Sequence, residues 1–390
     1  MIFGGGPSSF KLKNRYRRGT EFSPASPGCR HAKRLSQKTS TPKKLAQKVP
    51  LTTCPDVAPA DRRPRSASMF RLLLTLAIAS HLALAQRDSL VEKIRPLALS
   101  WTPGANPLPP HQYLSGTKRK ENAKRGLPLG ILIAKQQIDL PEQFDARERW
   151  PECPSLRKIR NQGCCAGCWA ISAAETFTDR WCIHSGGKLQ FSFGALDLLS
   201  CCPKCGEGCS GAGYLGNSWL HWVRQGVASG GPYNSNQGCH PYPFDVCHLP
   251  DEQDDAPKCD LKCQASYNVT NVVDDRRFGR IAYAVYPEET AIMEEIFVQG
   301  PVQASMDVYY DFKAYRTGVY RHVFGPQDSE HAIKILGWGV ENGVKYWLCS
   351  NSWGQDWGAD GGFFKIVRGE DHCGIESNVH AGLPDYNKRS

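Results

Sequence analysis

The segment Gln162-Gly-Cys-Cys-Ala-Gly-Cys168-Trp169 decides the fold, because an alanine-rich stretch with helical spacing begins at its last cysteine. Apolar residues recur there at intervals of three to four, which predicts a helix over 168–181. A cysteine in the first turn lies at the positive end of the helix dipole, where its thiolate is favoured and its pKa falls. Gln162 can bring its side-chain NH2 beside the Cys168 backbone N–H as an oxyanion hole. We therefore predict that Cys168 is a nucleophile.

A predicted β-hairpin further along the chain supplies the partners that such a nucleophile needs. Apolar runs on either side of Asn342-Gly343 indicate two strands joined by a two-residue turn. In that register, residues whose numbers sum to 685 face each other, so His331 and Asn351 are near-diagonal neighbours. An imidazole at this place can pair with the thiolate and protonate the leaving amine, while the amide oxygen orients it.

The order of the predicted elements indicates the fold class. A loop-rich stretch, 200–265, follows the first helix, and a second helix over 288–298 ends at Gly300-Pro301. Strands are predicted at 302–309, 331–338, 345–350 and 362–367. Helix and loop thus precede a region of strands, which predicts an α+β fold with two lobes.

The charge distribution argues against a nucleic-acid binder. The chain has 390 residues, 41% apolar and 22% charged, with a net charge of +10. Residues 1–68 carry +12 and residues 69–139 carry +6, whereas residues 140–390 carry −8. A protein that binds phosphate backbones needs its basic residues on the folded surface, and here the folded body is acidic.

Cysteine content indicates an oxidising compartment. The chain has 17 cysteines, and 15 of them lie from Cys153 onward. Two pairs have zinc-like spacing and two are adjacent in sequence: Cys202/Cys205 and Cys259/Cys263, then Cys164/Cys165 and Cys201/Cys202. Adjacent cysteines suit disulfides to different partners better than one tetrahedral site. We therefore predict disulfides and no metal, with a zinc-binding structural module as the alternative.

The N-terminal part is predicted to be organised for secretion. Residues 1–68 are basic and lack an apolar period, which is typical of a disordered extension. Residues 69–85 combine Arg71, a short apolar run and an Ala83-Leu-Ala85 cleavage pattern, as in a signal peptide. Because a signal normally begins a chain, we expect residues 1–68 to be a gene-model extension. The alternative is a cytosolic or nuclear tail before an internal anchor.

The motifs together resemble the papain family of cysteine proteases, and within it the cathepsin B group. Besides those above, the matching stretches are Leu140-Pro-Glu-Gln-Phe-Asp-Ala-Arg147, Asp197-Leu-Leu-Ser-Cys-Cys202, Ser229-Gly-Gly231, Gly337-Trp-Gly-Val-Glu-Asn342, Asn351-Ser-Trp353-Gly and Asp371-His-Cys-Gly-Ile-Glu-Ser377. The resemblance implies a mainly helical left lobe over 140–266, a mainly β right lobe over 267–390, and a cleft between them. Trp101-Thr-Pro-Gly-Ala-Asn106 and Ser115-Gly-Thr117 resemble a proregion, assigned to residues 86–139, that lies backward through the cleft.

The resemblance also implies roles for individual residues. Cys168 is the nucleophile, His331 the general acid and base, Asn351 its orienting group, Gln162 the oxyanion donor, and Trp353 a shield for the His–Asn pair. The implied substrate-binding residues are Gly211, Ala212, Tyr214, Leu215, Ser305, Ala332 and Asn378. The implied disulfides are Cys153–Cys182, Cys165–Cys209, Cys201–Cys259, Cys202–Cys205 and Cys239–Cys263, and Cys349 and Cys373 are expected to be buried thiols.

Four departures from the group carry expectations of their own. The occluding loop, 247–259, is short and lacks a His-His pair, so Cys247 has no family partner and the loop should be looser. Ala166 and Ala212 should narrow the substrate groove. Asn378 replaces an acid at the base of the S2 pocket, which favours apolar or aromatic P2 residues over arginine. Cys164 is extra, and Glu330 before His331 is expected to steady the imidazolium.

The sequence therefore predicts a cathepsin B-like cysteine endopeptidase made as a secretory zymogen. We expect lysosomal or extracellular location, glycosylation at Asn268, and a precursor that stays inactive until it is cut between residues 131 and 139. The implied partners are protein and peptide substrates, the chain's own proregion and cystatin-type inhibitors; a monomer is expected, with no cofactor, nucleic acid or membrane. Removal of C-terminal dipeptides should be weak, unless His240 or His248 holds the terminal carboxylate. The alternative is an inactive papain-fold binding protein that resembles the tubulointerstitial nephritis antigens.

Overall fold

The computed structural model describes residues 89–108, 112–117, 127, 138–248 and 252–388. The predicted N-terminal extension, the signal peptide and most of the predicted cleavage window lie outside these residues. The helices are α1 Ala146–Arg149, α2 Cys168–His184, α3 Ala195–Cys201, α4 Leu215–Arg224, α5 Val272–Asp275 and α6 Glu289–Gln299, and residues 89–94 are also helical. The strands are β1 Trp101–Pro103, β2 Phe144–Asp145, β3 Phe278–Ala284, β4 Val302–Tyr309, β5 Tyr315–Tyr320, β6 Gln327–Glu341, β7 Val344–Ser350, β8 Phe363–Val367 and β9 Val379–Asp385.

Helix α2 is the buried centre of the helical part. It is buried on every side, and only its last residue, His184, is not buried. Some of its polar side chains bond back into the helix: the hydroxyls of Ser172 and Thr176 each donate to the carbonyl four residues earlier. A helix enclosed in this way holds its first residue, Cys168, at a fixed place.

The strands form one mixed sheet in the order β1-β5-β8-β7-β6-β4-β9-β3, with β2 added beside β6. Each pair is antiparallel except β5 with β8. Every predicted strand is present, and β6 extends beyond its predicted bounds at both ends. The strand-rich second half therefore confirms the α+β prediction.

The β6–β7 hairpin has the predicted turn. Asn342 and Gly343 both have positive φ, at 49° and 80°, which is the geometry that favours Asn-Gly in a two-residue hairpin. Gly337 faces Leu348, so the numbers sum to 685 as predicted, but a bulge follows and Lys334 faces Ser350. The bulge shifts the register by one residue on the side that leads to His331.

Besides the short α1, two helices in the first half of the folded body were not predicted. Helix α4 lies within the stretch 200–265 that was expected to be mostly loop, and α3 precedes it. The glycines and cysteines around α4 conceal its period, although Leu215, Trp219 and Trp222 recur at helical spacing and are fully buried. The prediction followed composition where periodicity was the better guide.

In the described part of the chain, the core consists of two large apolar clusters and a small third one around Ala228, Cys239 and Val272. One large cluster lies between α6 and the sheet and includes Trp338, Trp347 and Trp357. The other large cluster lies among α2, α3 and α4 and is built on stacked and edge-on aromatic rings, for example Phe177 with Trp222. Two separate large clusters agree with the predicted two lobes.

Among the described residues six disulfides are formed, and five join the cysteines that the resemblance implied: Cys153–Cys182, Cys165–Cys209, Cys201–Cys259, Cys202–Cys205 and Cys239–Cys263. The sixth joins Cys164 to Cys247 and corrects the expectation that Cys247 lacks a partner. Spacing along the chain could not reveal this pair, because the two cysteines are 83 residues apart. Cys349 is buried as expected, whereas Cys373 is partly exposed.

Candidate active site

Cys168 begins α2 and its sulfur is enclosed on several sides. The backbone N–H of Gly116 donates to its Sγ at 3.2 Å, and that of Ala332 lies at 3.5 Å. The thiol is fully buried, and burial raises its pKa to about 11 despite these donors. The prediction of a lowered pKa is therefore wrong for this covered state, because burial outweighs the helix dipole and the N–H donors.

His331 and Asn351 meet as the hairpin predicted. The His331 Nε2 lies 2.8 Å from the Asn351 Oδ1, which also accepts from the Ser352 N–H. The other ring nitrogen, Nδ1, is buried and has no hydrogen-bond partner among the described residues. Burial lowers the pKa of His331 to about 4, opposed by the Asn351 hydrogen bond and helped by the charge of Lys313. The imidazole is thus neutral, oriented by one nitrogen and available at the other.

Trp353 covers the His–Asn pair. Its ring centroid lies 4.7 Å from that of His331, at an interplanar angle of 31°. Its indole N–H donates to the Leu114 carbonyl at 2.9 Å. An aromatic lid of this kind keeps water away from the His331–Asn351 hydrogen bond.

Gln162 is buried and held at three points. Its backbone carbonyl accepts from the Tyr242 hydroxyl at 2.8 Å, and its Oε1 accepts from the Ser352 hydroxyl at 2.8 Å. These contacts leave the side-chain NH2 directed at carbonyl oxygens, those of Cys165 at 2.9 Å and Leu114 at 3.1 Å. The amide is therefore a preorganised donor that already binds a carbonyl from another part of the chain.

Residues 112–117 lie across this site. Thr117 pairs with Gly213 through a parallel bridge, and its N–H donates to the Glu330 carbonyl at 3.1 Å. Gly116 is enclosed so tightly that a Cβ there would lie 2.3 Å from the Ala166 carbonyl oxygen and 2.6 Å from the Gly211 Cα. The covering segment thus packs directly on the backbone of Ala166 and Gly211, and the narrowing of the groove by the Ala166 methyl stays a prediction.

The bridge to the covering segment is made by the residue after Ala212. Thr117 pairs with Gly213, and Ala212 adopts a φ of 50° beside it. A Cβ on Gly213 would overlap the Trp169 ring at 2.2 Å. Glycine at 213 therefore lets the groove wall pack against the helix, and the narrowing of the groove by the Ala212 methyl stays a prediction.

The segment 101–108 lies beside the sheet. Trp101 stacks on Tyr315 with centroids 6.2 Å apart, and its indole N–H donates to the Arg321 carbonyl. Asn106 is buried and its amide donates to the carbonyls of Lys313 and Tyr315. The described residues 101–108 and 112–117 thus lie beside β5, against Trp353 and at the thiol, in that order along the chain.

Most of the predicted S2 residues lie close to one another or to the thiol. Leu215, Ala332 and Cys168 belong to one apolar cluster with Leu127. Asn378 is buried and its amide donates to the Ser305 hydroxyl at 2.6 Å. Tyr214 lies directly before α4, and its N–H donates to the Cys205 carbonyl at 2.7 Å.

The short loop is attached to the turn that carries the nucleophile. Besides the Cys164–Cys247 bridge, the Cys164 N–H donates to the Asp245 carbonyl at 2.6 Å, and its carbonyl accepts from Asp254 at 2.7 Å. The Gln253 amide donates to the Cys209 carbonyl. The expectation of a looser loop is therefore wrong, because a disulfide and backbone hydrogen bonds hold it.

The two histidines considered as carboxylate binders differ in freedom. His240 is buried, with its Nε2 3.3 Å from the Lys262 carbonyl and its Nδ1 3.8 Å from a carboxylate oxygen of Asp197. His248 is exposed and lies 3.9 Å from the Asp245 carboxylate. Of the two, only His248 could move toward a substrate.

A buried charged cluster beneath the site escaped the sequence analysis. The Lys334 ammonium lies 2.7 Å from the Asp179 carboxylate and 3.8 Å from Glu175. Both acids lie on α2, whereas Lys334 lies on β6 three residues after His331. Burial raises the pKa of Glu175, opposed by the nearby cations Lys334 and Arg160. The sequence signal that could have revealed this cluster was Lys334 itself, a lysine within an otherwise apolar strand.

One group of side chains has the donor types of a metal site. Cys202, Cys205 and His221 bring one ligand atom each within 4.8 Å of one another. The two sulfurs are joined in a disulfide and are not thiolates, so the donor set reduces to one imidazole. The residues do not fit a zinc ion in this oxidised form.

In the described part of the chain, no helix is long and apolar enough to span a membrane.

Comparison with known proteins agrees with this geometry. The family model described as "Papain family cysteine protease" matches residues 140–383. The chain is 44% identical over 260 residues to cathepsin B-like cysteine proteinase 6 of Caenorhabditis elegans, covering 64% of this chain and 68% of that protein. It is 45% identical over 255 residues to a cathepsin B-like cysteine proteinase of Schistosoma japonicum, covering 63% and 74%. Among solved structures, procathepsin B S9 from Trypanosoma congolense superposes with a TM-score of 0.67 at 36% identity, covering 76% of this chain and 98% of that chain.

Proposed function

Because the chain belongs to the papain family of cysteine proteases, among its cathepsin B-like members, we propose that it is an endopeptidase that uses Cys168, His331 and Asn351 and is made as an inactive precursor. One observation carries the proposal. The His331 imidazole is oriented by Asn351 at 2.8 Å, and the N–H of the next residue, Ala332, lies 3.5 Å from the Cys168 sulfur.

In the proposed mechanism, removal of residues 112–117 exposes the thiol and the imidazole to solvent. The proton then moves from Cys168 to His331, because hydration lowers the cost of both charges. The thiolate attacks the substrate carbonyl carbon and forms a C–S bond, and the carbonyl oxygen becomes an oxyanion. The Gln162 NH2 and the Cys168 backbone N–H donate to that oxygen.

The second half of the cycle uses the same imidazole. The imidazolium of His331 donates its proton to the leaving nitrogen as the C–N bond breaks, which leaves an acyl-enzyme on Cys168. A water then gives its proton to the neutral imidazole and attacks the acyl carbon, releasing the carboxylate product and the thiol. Asn351 keeps the ring in place throughout, and Trp353 shields that hydrogen bond.

The covering segment supports the precursor hypothesis. The Leu114 carbonyl occupies the amide donor of Gln162, and the Gly116 N–H occupies the sulfur of Cys168. A substrate cannot bind where these contacts exist. Cutting between residues 131 and 139 would remove the residues before Leu140 as the inhibitor, and further partners of the proposal are protein substrates and cystatin-type inhibitors, bound by a monomer.

A secretory location and glycosylation are part of the proposal. Six disulfides are typical of an oxidising compartment. Asn268 in Asn268-Val-Thr270 is exposed, so its amide is accessible to a glycan. Lysosomal or extracellular delivery follows, and loss of mass on glycosidase treatment of the secreted protein tests it.

The proposal is tested by labelling with an epoxide that reacts only with an active thiolate. The precursor is expressed with and without processing by limited proteolysis at acidic pH, and Cys168→Ser is the control. We expect labelling and peptide hydrolysis in the processed wild type alone. Absence of labelling after verified removal of residues before Leu140 would favour the alternative, an inactive binding protein.

A further inference from the structure

The S2 pocket extends further than the predicted residues indicate. The predicted wall of the S2 pocket crosses three strands. It runs from Ala332 on β6 to Ser305 on β4 and then to Asn378, directly before β9. Ser305 faces Ala332 directly, and the Ser305 N–H donates to the Asn378 carbonyl at 3.3 Å. His380, two residues after Asn378, is the next side chain on the same face, because strand side chains alternate.

The direction of this face is fixed by contacts with the helices. His380 pairs across the sheet with Gln303 on β4. The Gln303 amide donates to the Trp169 carbonyl at 2.9 Å and to the Ser172 hydroxyl at 2.8 Å, both on α2. Since cross-strand partners share a face, His380 also points toward the helical lobe and not toward solvent.

Gly216 and Leu127 locate the imidazole within the pocket. A Cβ built on Gly216 would lie 3.1 Å from the His380 Nε2 and 3.2 Å from the Leu127 Cγ. Leu127 is buried in the same apolar cluster as Cys168, so it marks the space that a substrate side chain can take. Because Gly216 has no Cβ, the Leu127 side chain and the His380 ring both pack closely against the same point of the α4 backbone.

His380 has unused hydrogen-bonding capacity. Its side chain is 2% exposed, and its Nδ1 is buried without a hydrogen-bond partner among the described residues. Burial is the cause that lowers its pKa to about 4, so the ring is neutral and carries one N–H donor and one acceptor nitrogen. A buried ring that is not fully satisfied gains from a partner that enters with the substrate.

We propose that His380 forms the inner end of the S2 pocket and selects P2 side chains that are longer than leucine and end in an uncharged hydrogen-bonding group, with glutamine as the best fit. The proposal rests on the protease activity proposed above. The terminal amide of glutamine would take the place of the Leu127 side chain beside Gly216, where it faces the His380 ring. Methionine has a similar length but no such group.

The test uses three peptides that differ only at P2, carrying leucine, methionine or glutamine, and the processed enzyme. The variants are His380→Leu, which removes the ring, and Gly216→Ala, which adds a methyl between the ring and the space of the P2 side chain. His221→Leu is the matched control, because His221 is a partly buried histidine that lines a different cavity with Cys201 and Cys259. Titration of Cys168 with the epoxide that needs an active thiolate gives the concentration of folded enzyme in each preparation.

We expect the glutamine-to-methionine ratio of kcat/KM to fall about tenfold in His380→Leu and in Gly216→Ala, as for loss of one buried hydrogen bond. The ratio should stay unchanged in His221→Leu. An unchanged ratio in either folded S2 variant would overturn the assignment of His380. If the wild type cut none of the three peptides, the proposed protease function would fail instead, so the two failures are distinguishable.

Discussion

The two sides of the cleft hold their reactive residues by different means. On the helix side, the turn before Cys168 is fixed by two adjacent disulfides, Cys164–Cys247 and Cys165–Cys209. On the strand side, sheet pairing of β6 and the hairpin turn fix His331. The helix side therefore depends on covalent links between distant segments, and the strand side on local turn chemistry and register.

The two sides are connected under the site by Lys334, Asp179 and Glu175. The Ser350 hydroxyl also donates to Glu175 at 3.4 Å, so β7 joins the same cluster just before Asn351. Cross-links and sheet register each position one half of the catalytic pair, and the charged cluster sets the distance between the halves. The predictions below separate these contributions.

The largest effect is expected from the cysteines of the helix side. Cys168→Ser should abolish peptide hydrolysis, by more than about a thousandfold, because a hydroxyl does not replace the thiolate nucleophile. Cys164→Ser should retain most of the activity, since Cys164 belongs to the turn before α2 and does not react with the substrate. Hydrolysis rates of the processed variants test this, and equal loss in both would contradict the assignment of the nucleophile.

The next largest effect concerns the link between the two sides. Lys334→Met leaves two buried carboxylates without their cation and should lower the free energy of unfolding by about 3–5 kcal/mol. Lys345→Met is the matched control, because the Lys345 side chain is 59% exposed and pairs with Glu289 on the surface. Urea unfolding of both variants provides the measurement. A similar small loss in both would show that the buried cluster does not hold the sides together.

Much of the strand side could be predicted from the sequence. The Asn342-Gly343 turn set the register, and the register placed His331 near Asn351. The bulge lies between Ile335 and Gly337, and a glycine within a strand pattern is a signal for it that the register argument did not use. On the helix side, Cys168 and Gln162 were found by motif, but the Cys164–Cys247 bridge and the Lys334 cluster depend on contacts between segments far apart in the chain. His380 was missed for the same reason, since its closeness to Gly216 and Leu127 is a contact between distant segments.

The pKa values of the reactive pair give a prediction for the covered and uncovered states. In the covered state the Cys168 pKa is about 11 and the His331 pKa about 4, so both groups are neutral between these values. Exposure to solvent should lower the pKa of Cys168 and raise the pKa of His331. The open state therefore binds a proton at His331 that the covered state does not, and acidification from about pH 6.5 toward pH 4 favours opening.

The rate of Cys168 alkylation at different pH values measures this change. In the precursor, alkylation should rise only above pH 9, whereas in the processed enzyme it should already be rapid at pH 6. Gly116→Val is the informative variant, because its side chain would overlap Ala166 and Gly211 and release the segment. The precursor of this variant should behave like the processed enzyme; an unchanged profile would contradict the covering role of residues 112–117.

A smaller effect is expected at P2. Among the described residues of the pocket no carboxylate faces a P2 arginine, and Glu376 is engaged by the Trp347 indole at 2.8 Å and the Gly369 N–H at 2.6 Å. Arginine would forfeit a charge-assisted pair of ~1.5–3 kcal/mol, on the order of tenfold in kcat/KM relative to phenylalanine. Peptides with arginine or phenylalanine at P2 test this, and a preference for arginine would show that an acid reaches the pocket.

The smallest effect is expected for the C-terminus of the substrate, and it decides between an endopeptidase and a dipeptidyl carboxypeptidase. The latter needs a cation to hold the terminal carboxylate. The loop offers His248, which lies beside Asp245, and it also carries Glu252, Asp254 and Asp255. Lys313 is near enough to affect His331, but it is buried and paired with Asp328 at 2.8 Å.

Lys258 is a further exposed cation of the loop, but the acids outnumber it. With a loop that is acidic and pinned, the cleft should treat a free C-terminal acid and the matching amide alike. We expect their rates of cleavage two residues from the end to agree within about threefold at pH 5, since exposed ion pairs contribute little. Chromatography of the products identifies the bond that is cut. Faster cleavage of the acid, lost in His248→Ala but kept in Cys164→Ser, would mean that the exposed histidine supplies the cation and that the pinned loop does not prevent exopeptidase activity.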